Sequence, residues 1–237
     1  MEIVFLGISD VGMRIYEWLC DRSNTDVRAL LTEQSQLDQI QAIQPDIVVS
    51  VGFDHIVPPE IIAVPERGCI NLHGGYLPYN RRRNTNVWPI IDGTPAGVTL
   101  HYMNEELDKG AIIAQREVPV TFADTAKDIY NRLEAANYEL FVGVWPAIET
   151  GDVTTEQQPD DGTSHTRAEF RELCRIDPED TYRARNLVDL LRATTFPPFD
   201  NAYMEIDGER YYLEIDVRTA DADTETDTAS VGMVGEY

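Results

Sequence analysis

Through its first half the chain alternates short runs rich in Val, Ile and Leu with stretches of helical period. Nothing else in it narrows the fold so far. Residues 3–7, 27–31 and 46–52 read as buried strands, and residues 10–20 and 36–43 as the helices between them. Residues 68–73, 97–103 and 111–120 continue the series of strands. This alternation predicts an α/β fold with a mainly parallel, Rossmann-like sheet and helices on both faces. In such sheets ligands bind outside the carboxyl ends of the strands.

The clearest helix begins at Thr125 and ends near Glu149. Thr125-x-x-Asp128 is a capping signal and Gly151 a stop. Ile129, Leu133, Leu140, Val144 and Ile148 form its apolar stripe and read as core. Residues 152–165 are polar, include Pro159 and Gly162, and read as a linker. Asp177-Pro178-Glu179-Asp180 predicts a further helix start, with proline at the first position and acids in the first turn. Residues 202–206 and 211–217 flank Asp207-Gly208, a hairpin signal. The expected organisation is a first domain over 1–151, a small helix-plus-hairpin α+β appendage over 152–217, and an acidic disordered tail over 218–237.

Composition limits the function. No stretch is apolar enough to span a membrane. Residues 1–7 lack a basic leader and a long apolar core, so no secretory signal is expected. Cys20, Cys69 and Cys174 are widely spaced and odd in number, which suits reduced thiols in the cytoplasm. No pair of candidate ligands has metal-site spacing, and no metal is expected. Acidic residues number 42 against 19 basic ones, a formal charge of −23, and Lys109 and Lys127 are the only lysines. Such a field opposes phosphate backbones, so no nucleic-acid partner is expected. It also reads as a surface suited to high salt, where screening suppresses self-repulsion.

Chemistry gathers around three residues. Asn71 and His73 close the strand at 68–73, two apart and therefore on one face. Asp108 follows the strand at 97–103. An amide donor, an imidazole and a carboxylate able to orient it are the parts that acyl transfer needs. Taken singly, His73 also reads as a satisfied core histidine, Asn71 as a turn cap and Asp108 as a turn start. His55 follows a strand end and suits a pocket wall, His101 reads as structural, and His165 as solvated. Gly7-Ile8-Ser9-Asp10-Val11-Gly12 lacks the middle glycine of the dinucleotide fingerprint, which opposes an NAD enzyme. Arg81-Arg82-Arg83, directly downstream of Tyr76–Asn80, suits bidentate phosphate recognition or, failing that, a solvated loop.

Ile70-Asn71-Leu72-His73, Tyr76-Leu77-Pro78, residues 93–101 and Leu107-Asp108-Lys109-Gly110 resemble the folate-dependent formyltransferases. Tyr79-Asn80-Arg81, Asn86-Val87-Trp88-Pro89-Ile90 and residues 191–199 resemble most the members that formylate nucleotide-linked amino sugars. The chain departs from the family at Arg82, where glycine is common, and at Thr85, where proline is. The resemblance implies N10-formyltetrahydrofolate as formyl donor and Asn71, His73 and Asp108 as catalytic residues. It implies a folate pocket formed by Phe53, His55, Ile56 and Val57 with Met103, Asn104 and Glu105. It places Gly74, Gly75, Tyr76, Arg81, Asn84, Phe196 and Phe199 around the sugar nucleotide, and it implies a homodimer. The other readings it leaves are a methionyl-tRNA or glycinamide ribonucleotide formyltransferase, or a non-catalytic folate or nucleotide binder.

A surface suited to high salt predicts a melting temperature that rises from dilute buffer to molar KCl. Equal melting in both marks an ordinary acidic protein.

Overall fold

The computed structural model describes residues 1–220, so the expected tail lies, from residue 221 on, outside the described residues. In chain order the elements are β1 (Glu2–Leu6), α1 (Asp10–Cys20), β2 (Asp26–Leu31), α2 (Gln39–Ile43), β3 (Ile47–Val51), α3 (Pro59–Ile62), β4 (Cys69–His73), β5 (Arg81–Arg82), α4 (Trp88–Asp92), β6 (Ala96–Tyr102), β7 (Ile112–Val118), α5 (Ala126–Thr150), β8 (Ser164–His165), α6 (Arg167–Leu173), α7 (Ala184–Thr194), β9 (Tyr203–Ile206) and β10 (Glu209–Tyr212). The main sheet runs β2-β1-β3-β4-β6-β7. Its first four strands are parallel, and β6 and β7 are antiparallel to their neighbours.

Strand period explains the layers. Ile3 and Phe5 of β1 face a core with Ile15 and Leu19 of α1 and Phe141 and Trp145 of α5. Val4 and Leu6, one residue out of phase, face the opposite layer with Ile40 of α2 and Ile61 of α3. The turn into α1 is closed by Ser9, which accepts a hydrogen bond from the Gly12 amide. At Gly7 (φ 104°) a Cβ would stand 2.2 Å from the Val51 carbonyl oxygen, so these glycines serve close chain packing. The α5 capping box between Thr125 and Asp128 and the left-handed Gly151 cap stand where the sequence signals them. Its buried stripe is rotated slightly: Phe141 and Trp145 are fully buried, while Leu140 and Val144 flank the core. No described helix is long and apolar enough to cross a membrane.

The second part corrects several expectations. Residues 152–165 are not a free linker. Glu156 exchanges backbone hydrogen bonds with Ile112, and β8 pairs with β5 beside the main sheet. His165 is not solvated but stacks on Trp88 at 3.8 Å, with Asp92 2.9 Å from its Nε2. The acids at 177–180 form a turn instead of a helix. Asp177 accepts from the amides of Glu179 and Asp180, which satisfies locally the donors a helix would use. The helices of this part are α6, opened by a Thr166–Glu169 capping box, and α7. Buried Arg192 of α7 donates to the carbonyls of Thr121 and Asp124, which ties α7 to the start of α5. The hairpin turns at Asp207 and Gly208, both left-handed, but its second strand is Glu209–Tyr212 and not residues 211–217.

Candidate active site

Strand pairing assembles the site. In the β4–β6 ladder Asn71 lies opposite His101 and His73 opposite Thr99. His73 stands at the carboxyl end of β4, as expected. Because β6 runs antiparallel, its own carboxyl end lies beside Ile70, away from His73. Asp108 therefore does not share a strand-end edge with His73. Residues 103–110 double back instead and bring Asp108 Oδ1 to 3.8 Å from both His73 Nδ1 and His101 Nε2.

The hydrogen-bond partners fix the tautomers. His101 Nδ1 is 2.8 Å from the Tyr102 carbonyl oxygen, which only accepts, so Nδ1 carries the proton. Nε2 is then bare and accepts from the Asn71 amide at 3.2 Å. Burial pulls His101 down to about 4, against the opposing pull of Asp108, so the ring stays neutral at pH 7. His101 thus aims the Asn71 amide, leaving its second N–H for a ligand. His73 Nε2 lies 3.0 Å from the Asn80 carbonyl oxygen and donates to it, which leaves Nδ1 facing Asp108. At 3.8 Å the His73–Asp108 pair is too long for a direct hydrogen bond.

Backbone strain concentrates here. Of the non-glycine residues with positive φ, Asn80, Arg82, Asn84 and Asp108 belong to this site. Each is held by a partner. The Arg82 amide donates to Asp108 Oδ2 at 2.9 Å. Asn80 is buried, with its amide nitrogen on Thr94 and Pro95 and its backbone amide on Thr163. Gln158, from the supposed linker, donates to the carbonyls of Asp108 and Gly110 and accepts from Arg81. Gly75 passes so close to His73 that a Cβ would lie 2.6 Å from its Nε2.

The folate-side residues partly converge. Phe53 and Met103 edge the same apolar cluster, although they come from separate loops. His55 packs edge-on to Phe53 and faces Glu33 at 3.7 Å. Ile56 is 71% exposed and Leu107 53%, whereas Val57 is buried in the core and offers a ligand only its backbone. Asn104 accepts from the Glu106 amide, and Glu105 is exposed. On the other side, Gly74 and Tyr76 are half-buried beside His73. Arg81 is 6% exposed, its Nη2 donates to Gln158 and Pro159, and its buried Nε has no partner among the described residues. Asn84, Phe196 and Phe199 line a common cavity. His101, Asn80 and Gln158 escaped the sequence reading. Only knowledge of the antiparallel β4–β6 pairing singles out His101, and neither Asn80 nor Gln158 belongs to a motif with chemistry of its own.

An aimed amide, a histidine with one free nitrogen and a buried carboxylate held close together are the parts of a group-transfer site. The chain matches the family described as formyl transferase over residues 15–145, more than half its length, and it belongs to that family. Residues 169–219 match the N-formyltransferase dimerization C-terminal domain. The chain is 34% identical over 148 residues to methionyl-tRNA formyltransferase of Geobacillus sp. (strain WCH70), covering 62% of this chain and 46% of that protein. It is 33% identical over 148 residues to dTDP-4-amino-4,6-dideoxyglucose formyltransferase of Mycobacterium tuberculosis (strain ATCC 25618 / H37Rv), covering 62% and 63%. The chain therefore spans only 46% to 63% of the length of these curated relatives. A solved structure of the formyltransferase PseJ from Anoxybacillus kamchatkensis, in complex with UDP-4,6-dideoxy-4-formamido-L-AltNAc and tetrahydrofolate, has a TM-score of 0.64 at 31% identity, over 73% of this chain and 89% of that one.

Two predictions follow from this geometry. His101 binds its proton more weakly folded than unfolded, so it stabilises the fold above pH 6.5 and loses that contribution as pH falls towards about 4. The full effect is at most about 3 kcal/mol. Melting curves across this window should fall more steeply for the natural chain than for His101→Gln. Arg82, left-handed at φ 76°, should be relieved by Arg82→Gly, raising stability by roughly 1 kcal/mol in urea unfolding because glycine has no Cβ penalty there.

Proposed function

We propose that this chain transfers a formyl group from N10-formyltetrahydrofolate to the primary amine of a nucleotide-linked amino sugar. The observation that carries this reading is the Asn71, His73 and Asp108 arrangement, with His101 aiming the Asn71 amide. Its support from known proteins is the mycobacterial amino-sugar relative and the PseJ complex with a UDP-sugar and tetrahydrofolate. The methionyl-tRNA relative favours a second reading. The charge of −23 opposes it, because a tRNA must approach against that field.

Exposed Ile56 and Leu107, with half-buried Phe53 and Met103, suit a flat and largely apolar pterin beside Asp108. When bound, the donor supplies the activated formyl carbon that the amine attacks. The remaining work falls to the chain. The second N–H of Asn71 donates to the formyl oxygen as negative charge develops on it. Removing one such donor costs roughly 10²–10³ in turnover. Nδ1 of His73 accepts the proton the amine must lose and returns it to the departing nitrogen. Asp108 stabilises the imidazolium in between, with its carboxylate held in place by the Arg82 amide. The N-formyltransferase dimerization match, together with exposed Ile206, Tyr211 and Tyr212, supports a homodimer through the β9–β10 hairpin.

The test is formyl transfer from N10-formyltetrahydrofolate to dTDP-, UDP- and GDP-amino sugars, with initiator methionyl-tRNA and glycinamide ribonucleotide in the same panel, read by product mass. One formyl group gained on a nucleotide sugar supports the reading, and product on the tRNA alone overturns it. Asp108→Asn should lower kcat by about 10²-fold or more, the usual weight of acid–base catalysis, with KM little changed. Undiminished kcat would reject the role given to Asp108.

A further inference from the structure

The Arg81-Arg82-Arg83 cluster does not act as one unit. Arg81 is committed to Gln158 and Pro159, whereas Arg83 turns to an open pocket of about 460 Å³ lined by Arg83, Asn84, Arg167, Phe170 and Arg171. Arg167, Phe170 and Arg171 are spaced three and four apart on α6 and so share one face. In a chain with 42 acids and 19 bases, three arginines converge on a pocket with no acid in its lining. Arg83 reaches Asp54 at 3.1 Å in an exposed pair, and Arg167 and Arg171 form no ion pair among the described residues. Exposed pairs are weak, so Arg83 is free to turn to an anion.

A second cavity, of about 240 Å³, shares Asn84 and Phe170 with the first and continues to Phe196, Phe199, Asn86 and Asn201. It is walled by aromatic rings, and Phe199 is 61% exposed. Asn86 and Asn201 each place one amide N–H on a carbonyl, of Ala126 and Thr194, which leaves a second N–H and the side-chain oxygen of each for a ligand. A cationic pocket opening into an aromatic cavity that offers side-chain amides matches a nucleoside diphosphate. Guanidinium forks suit the diphosphate oxygens, and rings with amide oxygens suit a base bearing an N–H.

We propose that Arg83, Arg167 and Arg171 form the diphosphate subsite of the acceptor substrate, and that the adjoining aromatic cavity holds its base. This rests on the reading above that the acceptor is a nucleotide sugar. The competing anion is the glutamate carboxylate of the folate donor. The diphosphate is favoured because the two cavities share Asn84 and Phe170 of α6, and the second continues to the 196–201 segment. Neither is lined by residues 53–57 or 103–108 of the folate side.

The test compares the natural chain with Arg167→Gln/Arg171→Gln and with Arg167→Lys/Arg171→Lys. Calorimetry measures binding of dTDP, UDP and GDP, and separately of tetrahydrofolate. Kinetics measure KM for the nucleotide sugar and for the formyl donor. The glutamine pair should weaken the bound diphosphate, and raise the nucleotide-sugar KM, by about tenfold or more, the scale of one lost charge-assisted contact. The lysine pair should recover part of the loss, because charge is kept and the fork is not. Folate binding should stay within about twofold, which also shows that the variant is folded. Unchanged diphosphate binding in the glutamine pair overturns the subsite, as does a natural chain that binds none of the diphosphates. Weakened tetrahydrofolate instead assigns the pocket to the folate tail and likewise overturns it. Diphosphate binding that depends on these arginines, without formyl transfer to any amino sugar, keeps the subsite and rejects the function it was built on.

Discussion

The carboxylate of Asp108 is where separate parts of the chain meet, and the site depends on its position. One oxygen is held by a backbone amide of the 80–84 loop, and the other faces two imidazoles on adjacent strands. A buried carboxylate is costly to leave without partners. Its burial therefore constrains the left-handed backbone of residues 80–84 and the return of residues 103–110 over the sheet. Gln158 closes the arrangement from behind by satisfying the Asp108 carbonyl. The fold supplies a rigid sheet, and three loops converge on this single charge.

The division of labour between the two histidines follows from local solvation. His101 is sealed in the ladder and kept neutral, so it can only direct a hydrogen bond. His73 differs because one nitrogen is spent on a backbone carbonyl and the other faces a carboxylate. The same residue type, one strand apart, is thus a fixed acceptor in one place and, in the function proposed, a proton carrier in the other.

Much of this was legible in the residues. The apolar runs announced the strands of the first half, Thr125 and Asp128 announced α5, and Asp207-Gly208 announced the hairpin, because each signal is local. Asn71, His73 and Asp108 were legible as a chemical set, although for a partly wrong reason. A reading that put all these strand ends on one edge placed Asp108 beside His73, and the antiparallel turn of β6 changes the route by which it arrives. His101 was dismissed because strand order is invisible in sequence, and its role exists only opposite Asn71. The phosphate reading was given to Arg81, Arg82 and Arg83 together, and the structure separates them: Arg81 is buried against Gln158 and Pro159, while Arg83 pairs with Asp54. Charge is readable from sequence, but which arginine is occupied by a glutamine 77 residues away is not.

Residues 156–165 look like connecting chain, yet they are clasped to the first half. Gly162 lies against Pro78 so tightly that a Cβ would come within 2.3 Å of its carbonyl oxygen, and Thr163 receives the backbone amides of Asn80 and Arg81. This joint limits how the molecule can be rebuilt. A chimera that joins this catalytic half to another relative's C-terminal half cannot place its seam after Gly151 without replacing the clasp. A seam beyond Thr166 carries the clasp along with the residues it holds, and so the inherited unit of exchange is longer than the sheet it serves.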